Sequence, residues 1–401
     1  MVSAMRTMTG MKRATPTSIV SVGARVTKSY DGDVLTRCRP EEVPVLLGGV
    51  LAGQTVLAPI GDEATAAALD RVDEEPPIDS GVVVGTSGST GQPKLVVLSS
   101  EALIAAADGF RTQYGSFTWH CALPMHYVAG IMALVRGHLD DLHGGGFRIA
   151  SPDLSNLEPA PGRNALCVVP TQLRRGLADP ALCKVLTAFD MVIAGGASCP
   201  PWMLENARQA GVQVVTSYGM SETCGGVAYS GEPLPGVDID IVDGRITIAT
   251  PALATGYLGA PDLAARTFVD GRLITNDRGA WVCGPKGKRL QVLGRLDDVV
   301  ISGGVNVDLG EVQRLLDGIG PGLAVVAVPD AEWGQRVVLA APNGTLAEWR
   351  DRLRPHLGAP ALPRQLLLGA LPLTGSGKIN RRALVERAAT REGMTSDHLA
   401  G

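Results

Sequence analysis

The chain has 401 residues, 45% of them hydrophobic, which is enough for a large buried core and for two or three domains. Its formal net charge of −4 gives no excess of positive charge for binding nucleic acid through phosphate neutralisation. No apolar run reaches the length needed to cross a bilayer, and none of the seven cysteines forms a CxxC pair. These features favour a cytoplasmic protein that has neither a disulfide framework nor a zinc site.

The first twenty residues contain Arg6, Lys12 and Arg13 and lack the continuous apolar stretch of a signal peptide. Methionines at positions 1, 5, 8 and 11 leave the natural start of translation open. We expect residues 1–20 to form a disordered tail, because chain ends are poorly ordered unless other contacts hold them.

Short apolar runs that are typical of buried strands alternate with helical stretches over the first half of the chain. The predicted strands are Val82–Val84, Leu166–Val169, Met191–Ala194 and Val212–Val215. The predicted helices are Glu101–Ala107 and Trp202–Gln209, and two prolines precede the second of them as a helix entry. This alternation predicts an α/β fold of layered sheets and helices with largely parallel strands.

The pattern changes at Arg245, where Arg245–Ala249 and Arg272–Thr275 alternate as antiparallel strands do. A shorter unit follows Asp297 and has the size of a small domain. Its predicted elements are a helix near Leu309–Leu316, a strand at Ala324–Val328, a helix near Ala347–Leu357 and a strand at Gln365–Leu368. We therefore predict a large domain over residues 21–296 and a small α+β domain over residues 297–401.

A loop rich in glycine and hydroxyl groups follows the predicted strand Val82–Val84. Its sequence is Gly85-Thr86-Ser87-Gly88-Ser89-Thr90-Gly91-Gln92-Pro93-Lys94. Glycines let the backbone turn several N–H groups toward one point, and the hydroxyls and Lys94 add donors and positive charge. Such a loop can bind a polyphosphate. It lacks the Gly-Lys-Ser/Thr ending of a P-loop, as does the turn at Gly375–Lys378, so a kinase or a P-loop NTPase is disfavoured.

Residues Thr86 to Lys94 resemble the TSGSTGxPK signature of the superfamily that contains acyl-CoA synthetases, adenylation domains and luciferases. Four further landmarks of this superfamily follow in the right order. They are Tyr218–Thr223, which resembles YGxTE, Thr275–Asp277, which resembles TGD, Gly294–Asp298, which resembles GRxDD, and Pro372–Lys378, which resembles PxTxSGK. The resemblance covers residues 80 to 385 and implies a large adenylate-forming domain followed by a small mobile one.

The resemblance also implies how a nucleotide is bound. Tyr218 would pack on adenine, Asp277 would accept both ribose hydroxyls, and Arg295 would lie near the ribose and phosphate. The other nucleotide-binding positions that it implies are Thr86, Ser87, Gly88, Ser89, Thr90, Gly91, Lys94, Gly196, Ser217, Gly219, Met220 and Thr223. Lys94 belongs to a mobile loop in the family and is expected to affect the handling of pyrophosphate rather than the chemistry.

Three residues are expected to be catalytic by the same resemblance. Glu222 would hold Mg²⁺, Thr223 would bond a phosphate oxygen, and Lys378 would offset negative charge while the acyl-adenylate forms. Asp297 would be the hinge about which the small domain rotates after adenylation, since one loop residue can absorb such a change. Gly303 and Gly304 would then line the channel for the thiol of coenzyme A.

The sequence departs from the family pattern at two positions. Ser302 replaces the commoner lysine of the predicted channel segment, and Asn276 replaces the glycine of TGD. Neither change removes an atom that the chemistry needs, because Asp277 is kept.

Two features resemble the compact, actinobacterial-type o-succinylbenzoate–CoA ligases of menaquinone biosynthesis. The phosphate loop begins near residue 85, earlier than in most of the superfamily, and Leu123–Gly130 resembles the LPxxHxxG segment with His126 at the acyl pocket. Arg136 lies ten positions later, where these ligases have an arginine that pairs with the second carboxylate of the substrate. A buried basic group is costly unless a ligand anion matches it, which favours a dicarboxylate. Gly195 and Ser217 are expected to border the same pocket.

The favoured hypothesis is therefore an ATP-dependent ligase that uses Mg²⁺ and joins o-succinylbenzoate to coenzyme A. Three alternatives stay open at this point: a CoA ligase for another aryl or medium-chain acid, an enzyme that loads a separate carrier protein, and a nucleotide-binding homologue without turnover. The sequence leaves docking to a membrane and the oligomeric state undecided, with a homodimer as the commonest assembly.

Overall fold

The computed structural model of the chain describes residues 35–86, 93–284, 287–375 and 377–390. All described residues belong to one structural unit. The predicted disordered tail at residues 1–20 and residues 87–92 of the phosphate loop lie outside the described residues. No helix in the described ranges is both long enough and apolar enough to span a membrane.

Strands and helices alternate through the first half of the described chain, which confirms the predicted α/β class. The strands are β1 (Leu35–Cys38), β2 (Val56–Pro59), β3 (Gly81–Thr86), β4 (Lys94–Ser99), β5 (Thr118–Cys121), β6 (Gly146–Ile149), β7 (Asn164–Val168), β8 (Met191–Ala194), β9 (Val214–Met220), β10 (Gly225–Tyr229), β11 (Glu232–Pro233), β12 (Asp238–Val242), β13 (Arg245–Ala249), β14 (Gly256–Leu258), β15 (Phe268–Val269), β16 (Arg272–Gly284), β17 (Gly287–Arg295), β18 (Val299–Ser302), β19 (Val305–Asp308), β20 (Ala324–Asp330), β21 (Gly334–Ala341) and β22 (Gln365–Leu368). The α-helices are α1 (Val43–Leu51), α2 (Glu63–Leu69), α3 (Ser100–Tyr114), α4 (Val128–Asp140), α5 (Pro170–Ala178), α6 (Pro180–Leu186), α7 (Pro201–Gln209), α8 (Pro261–Thr267), α9 (Leu309–Ile319), α10 (Leu346–Leu353) and α11 (Arg381–Ala389).

The first sheet has the order β1-β2-β3-β4-β14, with β1 to β3 parallel. Strands β3 and β4 form an antiparallel pair whose register places Thr86 opposite Lys94. The phosphate loop is therefore the connection of a hairpin, and both of its ends are fixed by the sheet.

The second sheet has the order β11-β10-β9-β8-β7-β5-β6, and its strands from β9 to β6 are parallel. Every residue of β8 is buried, as expected for a parallel strand that is covered on both faces. The strand predicted from Val212 begins two residues later, at Val214. Gly211 has a φ of +82° and ends α7, and the Val212 N–H bonds to Ala207 O, so Val212 still belongs to the helix exit.

The third sheet is antiparallel, as the alternation from Arg245 predicts, and contains β12, β13, β15, β16 and β17. The long pair β16–β17 places Asp277 directly opposite Arg295. Two landmark strings that lie almost twenty residues apart are thereby brought side by side.

The last sheet has the order β19-β18-β21-β20, with β22 paired to β21, and has hydrophobic clusters of its own. Its central strand β21 was not predicted. The helix predicted near Ala347–Leu357 ends at Leu353, because Pro355 follows and proline excludes continued helix. The domain boundary at Asp297 stays a prediction.

Strands β9 and β10 approach each other closely at the glycines of the second sheet. A Cβ at Gly219 would lie 1.9 Å from the carbonyl oxygen of Gly225 on the paired strand. We therefore expect Gly219→Ala to lower the free energy of unfolding by about 1–3 kcal/mol, the usual cost of overpacking. Urea denaturation followed by circular dichroism measures this difference.

Gly318 provides the matched control. It lies in α9, and a Cβ there would meet no atom within 4 Å. Gly318→Ala should raise the free energy of unfolding by about 0.4–1 kcal/mol through the entropy of the unfolded chain. Equal unfolding curves for the Gly219→Ala variant and the unmodified protein would contradict the close approach.

Candidate active site

A tyrosine, a carboxylate and a guanidinium meet where β9 lies beside the β16–β17 pair. The hydroxyl of Tyr218 donates to Asp277 Oδ2 at 2.9 Å, and Arg295 Nη1 lies 3.6 Å from Asp277 Oδ1. Arg295 makes its closer contacts with Asp297, at 2.8 Å from Nε and 2.7 Å from Nη2. The structure thus brings together three of the residues predicted to bind the nucleoside, together with the predicted hinge.

Burial governs the electrostatics of this cluster. It raises the pKa of Asp277, while the hydrogen bond from Tyr218 and the charge of Arg295 act in the opposite direction. Burial and the neighbouring carboxylate also raise the pKa of Tyr218, which therefore remains a hydrogen-bond donor. A carboxylate accepts at both oxygens, so Asp277 retains acceptor positions for a vicinal diol such as ribose.

A second cluster joins Glu222 to the hairpin that carries the phosphate loop. Glu222 lies in a short 3₁₀ turn after β9, and its Oε1 accepts from the hydroxyl of Tyr257 at 2.7 Å. Tyr257 belongs to β14, which pairs with β4, and the ammonium of Lys94 lies 5.2 Å from the centre of its ring. Tyr257 was not predicted as a site residue, and it links the two predicted phosphate-binding elements.

The Glu222 carboxylate suits magnesium. Mg²⁺ is usually held by one or two carboxylates together with substrate phosphates and water. Tyr257 occupies one oxygen of Glu222, which orients the carboxylate. In the described part of the chain, no three His, Cys, Asp or Glu side chains converge as a metal cage. Glu222 together with substrate phosphates would give the sparse protein contribution that Mg²⁺ prefers.

Thr223 is fully buried and fixes the turn that presents Glu222. Its hydroxyl accepts from the N–H of Met220 at 3.1 Å and lies 2.7 Å from the carbonyl oxygen of Gly225. These contacts give Thr223 a structural role. Its predicted contact with phosphate stays a prediction, and it would require the hydroxyl to exchange one of these partners.

Lys378 lies on a turn that seats against Gly196. A Cβ at Gly196 would lie 3.1 Å from Lys378 Cε, and Gly196 has a φ of +78°. Glycine therefore suits this position both because it leaves space for the lysine and because it adopts a positive φ without strain. Thr171 Oγ1 donates to the carbonyl of Gly377 at 3.0 Å and holds the turn in place. The lysine keeps access to solvent, yet the surrounding protein desolvates its ammonium and lowers its pKa. Within the described ranges no carboxylate pairs with it.

His126 has a partly buried ring that packs on Tyr127 at 4.1 Å between centroids. Its Nδ1 is buried and has no hydrogen-bond partner among the described residues. Burial lowers the pKa of the imidazole, which favours its neutral form. Gly61 was missed by the sequence analysis, and it makes room for the ring, because a Cβ there would lie 2.2 Å from Nδ1.

Arg136 is buried in an aromatic box. It lies on α4, is 5% exposed, and its guanidinium carbon lies 4.6 Å from the Phe110 ring centre and 5.1 Å from that of Trp119. Its Nη2 donates to the hydroxyl of Tyr229 at 2.7 Å. No carboxylate of the described residues lies within 4 Å of it, and its buried Nε has no acceptor there. Arg136 is therefore a buried cation that no acidic side chain of the described ranges neutralises.

Tyr229 lies between this cation and residues that are predicted to border the acyl pocket. It lies opposite Ser217 in the β9–β10 pair. A Cβ at Gly226 would lie 2.4 Å from Ser217 Oγ and 2.5 Å from the Tyr229 hydroxyl, so glycine leaves room for both. A Cβ at Gly195 would lie 3.3 Å from Ser217 Cβ. The side chains of Tyr229 and Ser217 therefore lie between Arg136 and Gly195.

The predicted channel residues lie apart from these clusters in the last sheet. Gly303 and Gly304 form the turn between β18 and β19 with φ values of +59° and +77°, a turn that requires glycine. A Cβ at Gly303 would lie 2.8 Å from the Trp333 ring. Asp297 lies in the 3₁₀ turn Leu296–Asp298 that precedes β18. Their proposed roles as channel and hinge stay predictions.

A profile of the AMP-binding enzyme family matches residues 50–258, which is about half of the chain. The chain belongs to the AMP-binding enzyme family. This member is 37% identical over 354 residues to a probable 2-succinylbenzoate–CoA ligase of Mycobacterium tuberculosis, over 83% of this chain and 91% of that protein. It is 32% identical over 320 residues to the 2-succinylbenzoate–CoA ligase of Escherichia coli, over 75% of this chain and 67% of that protein.

A solved structure of the family supports the fold. The o-succinylbenzoate CoA synthetase of Bacillus subtilis, in complex with an acyl-adenylate intermediate, superposes with a TM-score of 0.64. The match covers 88% of this chain and 82% of that chain at 23% identity. The predicted superfamily and its layered α/β architecture are confirmed.

The raised pKa of Asp277 predicts how nucleotide binding responds to pH. The ionised carboxylate is the form that accepts hydrogen bonds from the ribose. Affinity for AMP should therefore fall as the pH decreases from about 7 toward the pKa of Asp277, which lies above the ordinary pKa of an aspartate. Tyr218→Phe removes a bond that stabilises the ionised form and should move this loss to higher pH. Isothermal titration calorimetry over this pH range measures both curves.

Asp277→Asn is the control for this titration. It should weaken AMP binding by at least about tenfold, as the loss of charge-assisted hydrogen bonds implies, and should remove the pH dependence. A pH dependence that survives in Asp277→Asn would assign the titration to another group.

Proposed function

We propose that this protein is an AMP-forming acid–thiol ligase that activates o-succinylbenzoate with MgATP and transfers the acyl group to coenzyme A. The observation that carries the proposal is the buried Arg136, which donates to Tyr229 opposite Ser217 and has no carboxylate partner among the described residues. Two ligases to which the sequence is similar bear the name of that acid. Tyr218, Asp277 and Arg295 would bind the nucleotide, and Lys378, which lies against Gly196, would act on the reacting groups.

The first half-reaction joins two anions. A carboxylate oxygen attacks the α-phosphorus of MgATP, an acyl–phosphate bond forms, and pyrophosphate leaves with the electrons of the broken P–O bond. The ammonium of Lys378 would offset the charge that gathers at the attacking and phosphoryl oxygens. Glu222 would hold Mg²⁺ against the phosphates, and the hairpin loop after β3 would enclose them.

The second half-reaction replaces AMP by a thiol. The sulfur of coenzyme A attacks the acyl carbon, gives up its proton, and AMP leaves as the phosphate anion. Lys378 occupies the position beside Gly196 in the structure, so a thiol needs the lysine turn to move. Rotation about Asp297, which brings Gly303 and Gly304 to the site, is the movement that we propose.

The choice of acid depends on Arg136. An ion buried without a partner costs several kcal/mol even after relaxation, and a carboxylate that pairs with it offsets that cost. A monocarboxylate with an apolar tail leaves the guanidinium unpaired, whereas a dicarboxylate places one group at Lys378 and the other at Arg136. This requirement favours o-succinylbenzoate over fatty acids.

The direct test is pyrophosphate release with MgATP from a panel of acids, with and without coenzyme A. The panel contains o-succinylbenzoate, benzoate, octanoate and several amino acids. Release that is fastest with o-succinylbenzoate and needs coenzyme A for turnover supports the proposal. Release with another acid rejects the substrate and keeps the chemistry, and the absence of release with every acid rejects both.

Replacing the lysine should separate the two half-reactions. Lys378→Ala is expected to slow adenylation by about a hundredfold or more, the usual effect of removing a group that stabilises transition-state charge. Formation of the thioester from supplied acyl-AMP should change by less than about threefold, because the lysine turn leaves before that step. Single-turnover assays measure each step, and Lys184→Ala, an exposed lysine on α6, is the control. Equal loss in both steps would falsify the movement of the turn.

Replacing the arginine should change the choice of acid. Arg136→Met keeps most of the aliphatic volume inside the aromatic box and removes the charge. We expect KM for o-succinylbenzoate to rise about ten- to a hundredfold, the worth of one charge-assisted hydrogen bond, with little change in KM for ATP. KM for 4-oxo-4-phenylbutanoate, which lacks the ring carboxylate, should stay the same. Steady-state kinetics with both acids decide this, and an unchanged KM for the dicarboxylate rejects Arg136 as its ligand.

A further inference from the structure

We propose that Tyr229 determines the specificity of this site by positioning Arg136 for the second carboxylate of the substrate. The inference rests on the proposed function and extends it to a residue outside the family's signature strings. Tyr229 lies at the end of β10, is 1% exposed, and supplies the oxygen that accepts from Arg136 Nη2 at 2.7 Å.

The walls of the box leave the guanidinium few ways to be oriented. Phe110 and Trp119 offer ring faces, which attract a cation but specify its rotation weakly. Asp140 Oδ2 accepts from Trp119 Nε1 at 2.8 Å and thereby fixes that indole. Among the described residues, the Tyr229 hydroxyl is the acceptor that Arg136 finds. A single directional bond therefore sets where the remaining N–H groups of Arg136 point.

The hydrogen bond between Arg136 and Tyr229 has a fixed direction. A guanidinium only donates, so the Tyr229 oxygen is the acceptor. Burial raises the pKa of Tyr229, so the phenol stays protonated. Tyr229 in turn lies opposite Ser217 in the β9–β10 pair, and Ser217 stands beside Gly195 at the predicted border of the acyl pocket.

This arrangement would suit the two ends of a dicarboxylate. Ser217 lies beside Gly195, Lys378 is seated against the next residue, Gly196, and Arg136 lies on the other side of Tyr229. Without the Tyr229 hydroxyl, the guanidinium would keep its charge but lose the bond that orients it. Binding of the second carboxylate would weaken, whereas acids that lack this group would not sense the change.

The test is Tyr229→Phe, which removes the hydroxyl and keeps the ring that packs on Phe110 and Tyr114 at 5.0 and 5.8 Å. We expect KM for o-succinylbenzoate to rise about tenfold, within the range for a bond to a charged group. KM for 4-oxo-4-phenylbutanoate and for ATP should change by less than about twofold. Tyr114→Phe is the matched control, because it removes a hydroxyl from the same aromatic cluster that bonds to Gln113 and not to Arg136.

A double variant tests whether Tyr229 acts through Arg136. If it does, Arg136→Met with Tyr229→Phe has the same KM for the dicarboxylate as Arg136→Met alone, because the two changes remove one interaction. Additive effects overturn the inference, and so does an equal loss for both acids in Tyr229→Phe, which indicates a structural role.

The outcomes for the two proposals differ. A selective effect in Arg136→Met together with an unchanged Tyr229→Phe rejects this inference and leaves the proposed function standing. The absence of a selective effect in Arg136→Met rejects the dicarboxylate itself, and with it the role of Tyr229.

Discussion

The antiparallel return of β10 along β9 is the constraint on which the site depends. Strand β9 carries Ser217 and Tyr218 and leads directly into the turn of Glu222, while β10 brings Tyr229 back beside Ser217. The return is only possible because Gly219 lets the carbonyl of the neighbouring strand approach. One narrow strand pair thus links the predicted nucleoside, metal and acyl positions, and a shift of its register would separate all three at once.

Local patterns were sufficient to predict much of the fold. Met191–Ala194 and Arg245–Ala249 are strands with the predicted bounds, since an apolar run or an alternation is a property of the segment itself. The landmark strings indicated most of the residues that the structure brings together. Pairing between distant segments is different, because no local period encodes which strand returns to which.

The features that were not predicted depend on contacts between segments that are distant in the sequence. Tyr229 and Tyr257 belong to no signature string, and each is placed by a strand that pairs with a partner many positions away. Thr223 carries a signature residue type, yet its burial and its backbone partners follow from the turn around it. Strand β21 was not predicted, because a strand in the middle of a sheet is identified by the strands that pair with it more than by its own sequence.

The aromatic box around Arg136 has a consequence for the lifetime of the protein in a cell. Arg136 has no carboxylate partner among residues that the structure describes, and a chain that buries such a cation gives up free energy of folding, which a bound anion would restore. Substrate would then protect the enzyme from unfolding and from proteases, so the steady-state amount of enzyme would follow the supply of the acid. The same buried charge would select the substrate and couple abundance to demand, without any separate regulatory site.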